Sequence, residues 1–374
     1  MYNSELQKTR HYGIDLIKII SMYMVIGVHI YMQGGVLAAE DYGSAGYYCS
    51  SYIYTLFSCA VDCFVIVNGY VSSTSKFKLS RIIELWATVV FWSVIVSCFV
   101  MAVQPEYRSL EEGISMFLPI LRGRYWFFNA YFVLFMFQPI LNHVIRTLPK
   151  GKYKAMLFAI VCIFGFIPIA SLGNDVLRFS GGAEFCWFVM LYLIGGYFRR
   201  YGAEFKYKNK WNIVIFFALG SFNILYKFLA EHIAMIIFGK PMFGELLLLN
   251  SSPIILGEAI ALFLFFSRIN INRNTFGGKC IHYISPLVFA VYIIHVHPLV
   301  FWNTQVVDRF AFLAEFNPLL TAGAVLAIGL IIYIICIALD MMRMKLFSLL
   351  RVKQICNKLG EKIYVGILKI LKIQ

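Results

Sequence analysis

The chain has 374 residues, of which 60% are hydrophobic and 14% are charged, and its mean hydropathy is +0.76. Soluble domains average about 25% charged residues, so this composition excludes an ordinary soluble protein and indicates an integral membrane protein. The net charge of +14 would suggest nucleic-acid binding in a soluble chain. Here the basic residues follow a membrane topology instead, and no nucleic-acid partner is expected.

Ten apolar segments are each about long enough to cross a bilayer as a helix, which takes roughly 20 residues. The sequence therefore predicts an all-α polytopic membrane protein with about ten transmembrane helices. The predicted spans lie near residues 14–34, 48–71, 82–103, 125–145, 154–172, 184–199, 211–229, 245–267, 286–306 and 318–340. One membrane domain is predicted over residues 1–342. A basic amphipathic tail over residues 343–374 is expected to lie on the lipid surface.

The loops between these spans alternate in charge. One side carries 26 of the 33 Lys and Arg residues, whereas acidic residues such as Glu40, Asp41 and Glu106 gather on the other side. The positive-inside rule then predicts that both termini are cytoplasmic, in a multi-pass protein of the cell membrane. The nine cysteines show no metal-ligand spacing, so neither a disulfide nor a metal site is expected.

The first predicted span, "IDLIKIISMYMVIGVHIYMQG", contains Asp15, Lys18 and His29. Lys18 and His29 are eleven residues apart, which places them about 16 Å apart on one helix face, and Asp15 is one turn before Lys18. Such a stripe suits a ligand whose phosphates meet Lys18 and whose reactive end meets His29 as a general base. Alternatively, His29 is a buried histidine bonded to another helix and Lys18 only extends to the membrane interface.

Other polar residues within the predicted spans also suggest sites, because ionisable groups in lipid are costly unless they face a partner or a cavity. Asp62 could orient His29 or pair with a basic residue, and Glu258 could line a cavity or serve packing. Of the neighbouring His295 and His297, His295 is the preferred neighbour of the site. Arg122 and Arg124 could hold an anionic sugar or a lipid phosphate, but a position at the lipid headgroups is favoured.

Four segments in order carry a family resemblance: "RHYGIDLIKIISMYMVIGVH", "CAVDCFVIVNGYV", "RYWFFNAYFVLFMFQPILN" and "VFAVYIIHVHPLV". They resemble the integral membrane acyltransferase-3 family of polysaccharide O-acyltransferases over about residues 10–340, and ten helices is that family's number. The chain departs from the family at Asn129 and Ala130, where many members have acidic residues. It also departs at Arg81, which lacks the second arginine found three residues away in some members.

The resemblance implies an O-acyltransferase of the bacterial plasma membrane. It would move an acyl group, with acetyl expected, from cytoplasmic acyl-CoA to a hydroxyl of a cell-surface polysaccharide or a lipid-linked glycan. On this basis His29 and Asp62 are predicted to be catalytic, and Lys18, Asp15 and Arg81 to hold the acyl-CoA. The predicted substrate-binding residues are Trp126, Asn129, Tyr131, Glu258, Tyr292 and His295. A secondary transporter or a lipid-linked sugar flippase is the alternative, since ten spans with intramembrane charges fit it too.

Overall fold

The computed structural model describes residues 10–174, 176, 185–202, 207–303 and 306–370. These ranges are largely helical and contain no β-strand. Four basic residues that enter the charge count of the two sides, Lys8, Arg178, Lys206 and Lys372, lie outside them. The predicted cytoplasmic position of both termini therefore stays a prediction. Below, the side of the protein that carries Lys18 and Arg81 is called the basic side, and the side that carries Glu245 and Asp308 is called the acidic side.

The described residues form seventeen α-helices, several of which pair end to end to make one membrane span. They are α1 (Tyr12–Tyr31), α2 (Val36–Ala39), α3 (Ala45–Ser58), α4 (Ala60–Ser72), α5 (Leu79–Val103), α6 (Leu110–Ser115), α7 (Trp126–Thr147), α8 (Lys150–Val161), α9 (Ile167–Ala170), α10 (Phe185–Tyr201), α11 (Lys210–Phe238), α12 (Pro253–Ser267), α13 (Phe276–Ile284), α14 (Val288–His295), α15 (Pro298–Phe301), α16 (Pro318–Leu349) and α17 (Val352–Ile370). A π-helical turn, Cys162–Phe166, joins α8 to α9.

The prediction of an all-α membrane protein with about ten spans is confirmed. Nine helical stretches within the described ranges are long and apolar enough to cross a membrane. The remaining predicted span, 184–199, corresponds to α10, which has only 17 residues. About 17 residues is the short limit for a spanning helix, so the described part of α10 is just long enough to cross a membrane.

Two predicted boundaries are wrong. The span predicted at 286–306 is instead Phe276–His295, because Pro286 is accommodated in a short 3-10 turn within it and the helix ends before Pro298. The span predicted at 211–229 continues as α11 to Phe238. The sequence leaves the end of this span uncertain because Lys227 and Glu231 are charged, but the two charges pair inside the protein and do not require an exit to water.

Close backbone approach fixes the centre of the bundle. A Cβ atom on Gly195 of α10 would lie 2.6 Å from the backbone nitrogen of Tyr70, and one on Gly69 of α4 would lie 2.7 Å from the Cα of Tyr192. Small residues let membrane helices pack at such short range. Helix α1 packs beside this pair and also contacts α3, α12 and α16, so the predicted active-site helix is central in the fold.

The C-terminal helix α17 packs against α5 on the basic side. Gly360 of α17 lies against Ser80, and Cys356 is buried, whereas Ile355 and Leu359 are exposed. This exposed apolar surface suits contact with lipid. Helix α16 runs from Pro318 to Leu349, so the helical structure is continuous across the predicted domain boundary at residue 342.

Candidate functional site

The polar stripe predicted on the first helix is present on α1. The helix is unbroken from Tyr12 to Tyr31, so the eleven residues between Lys18 and His29 correspond to about 16 Å. At the basic end, Lys18 Nζ donates to Asp15 Oδ1 at 3.2 Å. Asp15 also accepts from Arg10 and, at 2.9 Å, from the hydroxyl of Ser285. Asp15 therefore pairs with Lys18, the residue one helical turn after it.

His29 pairs with His295 at the other end of the stripe. His29 Nδ1 lies 3.0 Å from His295 Nε2, and His295 Nδ1 lies 2.6 Å from the carbonyl oxygen of Val291. A carbonyl can only accept, so His295 Nδ1 carries the hydrogen and its Nε2 is the acceptor. With both rings neutral, His29 Nδ1 donates to His295. His29 Nε2 is thereby left with a free lone pair, which is the state that a general base needs.

A central chamber of about 360 Å³ surrounds His29. Trp126 and Tyr292 line it, and the edge of Phe301 packs on the His29 ring with 4.8 Å between ring centroids. The hydroxyl of Tyr292 is buried and has no hydrogen-bond partner among the residues described. The chamber therefore contains an imidazole that can serve as a general base, and a tyrosine forms part of its wall.

A smaller cavity of about 190 Å³ lies on the basic side of the chamber. Lys18 and Tyr131 line it, together with Asn68, whose side-chain amide donates to the Tyr131 hydroxyl at 2.7 Å. Three phenylalanines line both this cavity and the chamber, and therefore separate them: Phe64, Phe127 and Phe289. We call these three residues the phenylalanine septum.

The chamber continues on the acidic side into a vestibule of about 450 Å³. Chamber and vestibule share several lining residues, including Gln33, Tyr54 and Trp302. The basic-side cavity, the chamber and the vestibule therefore follow one another along α1. His29 lies between two sides of opposite charge, and the septum is the constriction on the basic side.

A further cavity of about 370 Å³ lies beside the histidine pair, and its lining is almost wholly apolar. His29, His295 and Phe301 form one wall, and side chains of α5 and α16 such as Phe99 and Ile335 form the other. Phe99 and Ile335 are exposed on the lipid-facing surface of the bundle. Among the described residues, the side chains that offer polar contacts there are the two imidazoles, the Gln33 amide and the weakly polar Cys336 thiol, so a polar substrate would be bound in the chamber instead.

Asp62 is not brought to His29, so its predicted catalytic contact is absent. The indole nitrogen of Trp187 donates to Asp62 Oδ1 at 3.1 Å, and the Asp62 side chain is buried between α4 and α10. His295 takes the place beside His29 that Asp62 was expected to fill. The mid-helix position of Asp62 is compatible with a contact to His29 or to Trp187. The rotation of α4 about its axis decides which of the two contacts forms.

Besides Asp15, which pairs with Lys18, three other predicted site residues line none of the cavities described above. Asn129 donates to the carbonyl of Ile120 at 3.1 Å and so supports the start of α7. Glu258 is fully buried beside Gly220, and neither carboxyl oxygen has a hydrogen-bond partner in the described part of the chain. Arg81 is exposed at the basic end of α5 and donates to Ser75 at 3.2 Å. By contrast, Trp126, Tyr131, Tyr292 and His295 all line a cavity.

Arg124 is buried, so the expectation that it lies at the lipid headgroups is wrong. Its side chain is 4% exposed and pairs with Glu112 at 2.8 Å. It also lies 3.2 Å from Ser97 and 3.0 Å from His297. The Ser97 hydroxyl donates to Glu112 at 2.6 Å, and this network ties α5, α6 and α15 to the start of α7.

Sequence reasoning did not identify several residues that line the chamber. Gln33, Phe301 and Trp302 belong to this group, as does Phe289 of the septum. Phe301 and Trp302 come shortly after His295 and Pro298 in the sequence. Their position just beyond the predicted site histidine was the feature that could have identified them. Phe289 and Gln33 gave no signal, because apolar and amide side chains near helix ends are common in any membrane protein.

Comparison with protein families agrees with this arrangement. Residues 11–341 match the family model described as the acyltransferase domain, of the acyltransferase-3 type. The chain belongs to the acyltransferase-3 family. It is therefore a multi-pass membrane acyltransferase, and the resemblance stated from its four sequence segments is confirmed. No curated protein and no solved structure matches the chain.

Proposed function

We propose that this acyltransferase-3 member moves an acetyl group from cytoplasmic acetyl-CoA to a hydroxyl of a cell-surface polysaccharide or a lipid-linked glycan. One observation carries the proposal: His29, with a free lone pair, lies between a lysine-lined cavity on the basic side and an open vestibule on the acidic side. Donor and acceptor can then reach the same imidazole from opposite sides of a bacterial plasma membrane.

The donor would bind on the basic side. Coenzyme A carries phosphates, and the Lys18 ammonium, which pairs with Asp15, would meet one of them. Arg81 at the same side would meet a second phosphate. The thioester arm would pass the phenylalanine septum to bring its carbonyl carbon to His29. The septum would exclude bulk water from the thioester while the arm is in place.

His29 would act as general base on the acceptor hydroxyl. Its Nε2 takes the hydroxyl proton while the oxygen attacks the thioester carbonyl, the carbon–sulfur bond breaks, and the proton passes to the departing thiolate. The products are the acyl ester and free coenzyme A. His295 would position His29 by accepting from its Nδ1–H, and the Tyr292 hydroxyl would donate to the carbonyl oxygen. Transient transfer of the acyl group to His29 itself is the alternative path.

Trp126 at the chamber wall and Tyr131 next to Lys18 would contact acceptor and donor respectively. Asn129 and Glu258 lie away from both cavities, so their predicted roles in substrate binding are not part of the proposed mechanism. Asp62 would stabilise the packing of α4 on α10 rather than act on substrate.

Acetyl transfer from radiolabelled acetyl-CoA to envelope glycans in membrane vesicles tests the proposal. The His29→Ala variant should lose about 10²- to 10⁴-fold in rate, the usual contribution of a general base. The exposed His143, changed to Ala, is a matched control and should retain wild-type turnover. Wild-type turnover in the His29 variant, or no acetyl-CoA-dependent labelling by the wild-type protein, would contradict the proposal.

A further inference from the structure

A buried ion pair lies beside the vestibule and has no part in the mechanism above. Lys227 and Glu231 of α11 are each 4% exposed, and Lys227 Nζ donates to Glu231 Oε1 at 2.6 Å. The hydroxyl of Tyr47 donates to the same oxygen at 2.9 Å, and the lysine ammonium lies 5.1 Å from the centre of the Tyr47 ring. A buried pair of this kind adds little net stability compared with apolar residues of similar volume, so stability alone does not account for its presence next to a cavity.

Glu231 keeps one carboxylate oxygen unused. Its Oε2 atom is buried and has no hydrogen-bond partner in the described ranges of the chain. Glu231 lines a side pocket of about 480 Å³, which shares Tyr47, Lys227 and Glu245 with the vestibule. Buried polar atoms in proteins are almost always satisfied, so a ligand that presents an O–H or N–H group would supply the missing donor.

The charges around this pocket are unequal. Among the described residues, the vestibule and its side pocket are lined by one cation, Lys227, and by three carboxylates, Glu231, Glu245 and Asp308. The Lys227 ammonium is paired with Glu231. The side chain of Glu245 is 80% exposed, and its Oε1 atom lies 4.0 Å from Lys227 Nζ. The lining residues therefore sum to a charge of −2, which disfavours an anionic ligand and does not repel a neutral or cationic one. Lys240 and Arg309 are next to lining residues in the sequence but are not part of the lining.

The backbone holds the acidic wall in place. Asp308 adopts a positive φ of 58° and its amide donates to the carbonyl of Gln33 at 2.9 Å. Gly35 packs against Asp308, where any Cβ would lie within 2.7 Å of its carboxylate oxygen. Gln33 lines the chamber as well as the vestibule, so the acidic wall begins where the His29 chamber opens.

We propose that the vestibule and its side pocket form the acceptor subsite, and that it takes sugars that are uncharged or carry an amino group. Sugar hydroxyls or an ammonium would donate to Glu231 Oε2 and to Glu245, and the exposed face of Trp302 would support the pyranose ring. Uronic acids and phosphorylated sugars would be rejected by the surplus carboxylates. This assignment rests on the proposed function, since it names the acceptor class for that site.

Saturation-transfer NMR with the detergent-solubilised full chain tests the subsite without any acyl donor. The probes are methyl glucoside, methyl glucosaminide and methyl glucuronide. The first two should bind, and the glucuronide should bind at least about tenfold more weakly at low salt, because two surplus carboxylates repel it. The Glu245→Gln/Asp308→Asn double variant should reduce the ratio of glucuronide Kd to glucoside Kd to about two. The exposed Glu106→Gln control should leave this ratio unchanged.

Equal or tighter binding of the glucuronide, or an unchanged ratio in the double variant, would overturn the inference. Absence of saturable binding for all three glycosides would also overturn it. Trp302→Ala supplies an independent check that keeps the ion pair: loss of the ring that supports the pyranose should weaken glucoside binding severalfold, and no change would count against the subsite. Failure of acetyl-CoA-dependent labelling, in contrast, would remove the proposed function and leave the charge preference for sugars standing.

Discussion

The histidine pair gives the sharpest test of the site. Replacing His295 with Phe keeps a ring in the same space but removes the acceptor for His29 Nδ1–H, which now lies 3.0 Å from His295 Nε2. A buried donor left without a partner costs about 1–3 kcal/mol. In the variant, this free-energy cost applies to the His29 tautomer that carries its hydrogen on Nδ1. It applies equally to the His29 imidazolium that forms during transfer. We therefore expect kcat to fall roughly 5- to 150-fold, less than the loss for His29→Ala.

Glutamine at position 295 separates positioning from packing, because its side-chain oxygen can still accept from His29. The His295→Gln variant should recover most of kcat, and the KM for acetyl-CoA should stay near the wild-type value in both variants. Combining His295→Phe with His29→Ala should add no further loss, since the two residues act as one unit. The assay is release of coenzyme A thiol coupled to glycan labelling. An unchanged kcat in His295→Phe, or a fully additive double variant, would refute the reasoning.

Three further predictions follow from individual contacts. Lys18→Gln should raise the KM for acetyl-CoA about tenfold with little change in kcat, whereas the exposed Lys76→Gln should leave the KM unchanged. An equal rise in KM for both variants would show a general effect of surface charge and contradict a phosphate contact at Lys18. Asp62→Asn keeps an acceptor for its indole partner, so turnover should stay within about twofold, and a loss as large as that of the base variant would restore the catalytic role predicted from sequence. Gly195→Val should lower the unfolding temperature in detergent, at a cost of about 1–3 kcal/mol or more, whereas Gly151→Val, which meets no neighbour, serves as the control in the same melting experiment.

The presence of each membrane-spanning helix was predictable from the sequence, because a helix needs about 20 consecutive, mostly apolar residues to cross a bilayer. The helix ends were less predictable where the sequence carried charge inside the protein. Lys227 and Glu231 left the end of α11 uncertain in the sequence, but they neutralise one another and the helix continues to Phe238. Pro286 falls inside the span Phe276–His295, where a single 3-10 turn accommodates it.

By itself, the sequence determined that this chain is a helical membrane protein, that Lys18 and His29 share a helix face about 16 Å apart, and that its segments follow the acyltransferase-3 order. These conclusions depend on the composition of the chain and on the spacing of residues within single helices, and neither requires knowledge of how the helices pack. Only the tertiary structure decided that His295 rather than Asp62 contacts His29, and that three phenylalanines divide the cavities. Those contacts depend on how each helix is rotated against its neighbours, and apolar spans carry little sequence signal for that rotation.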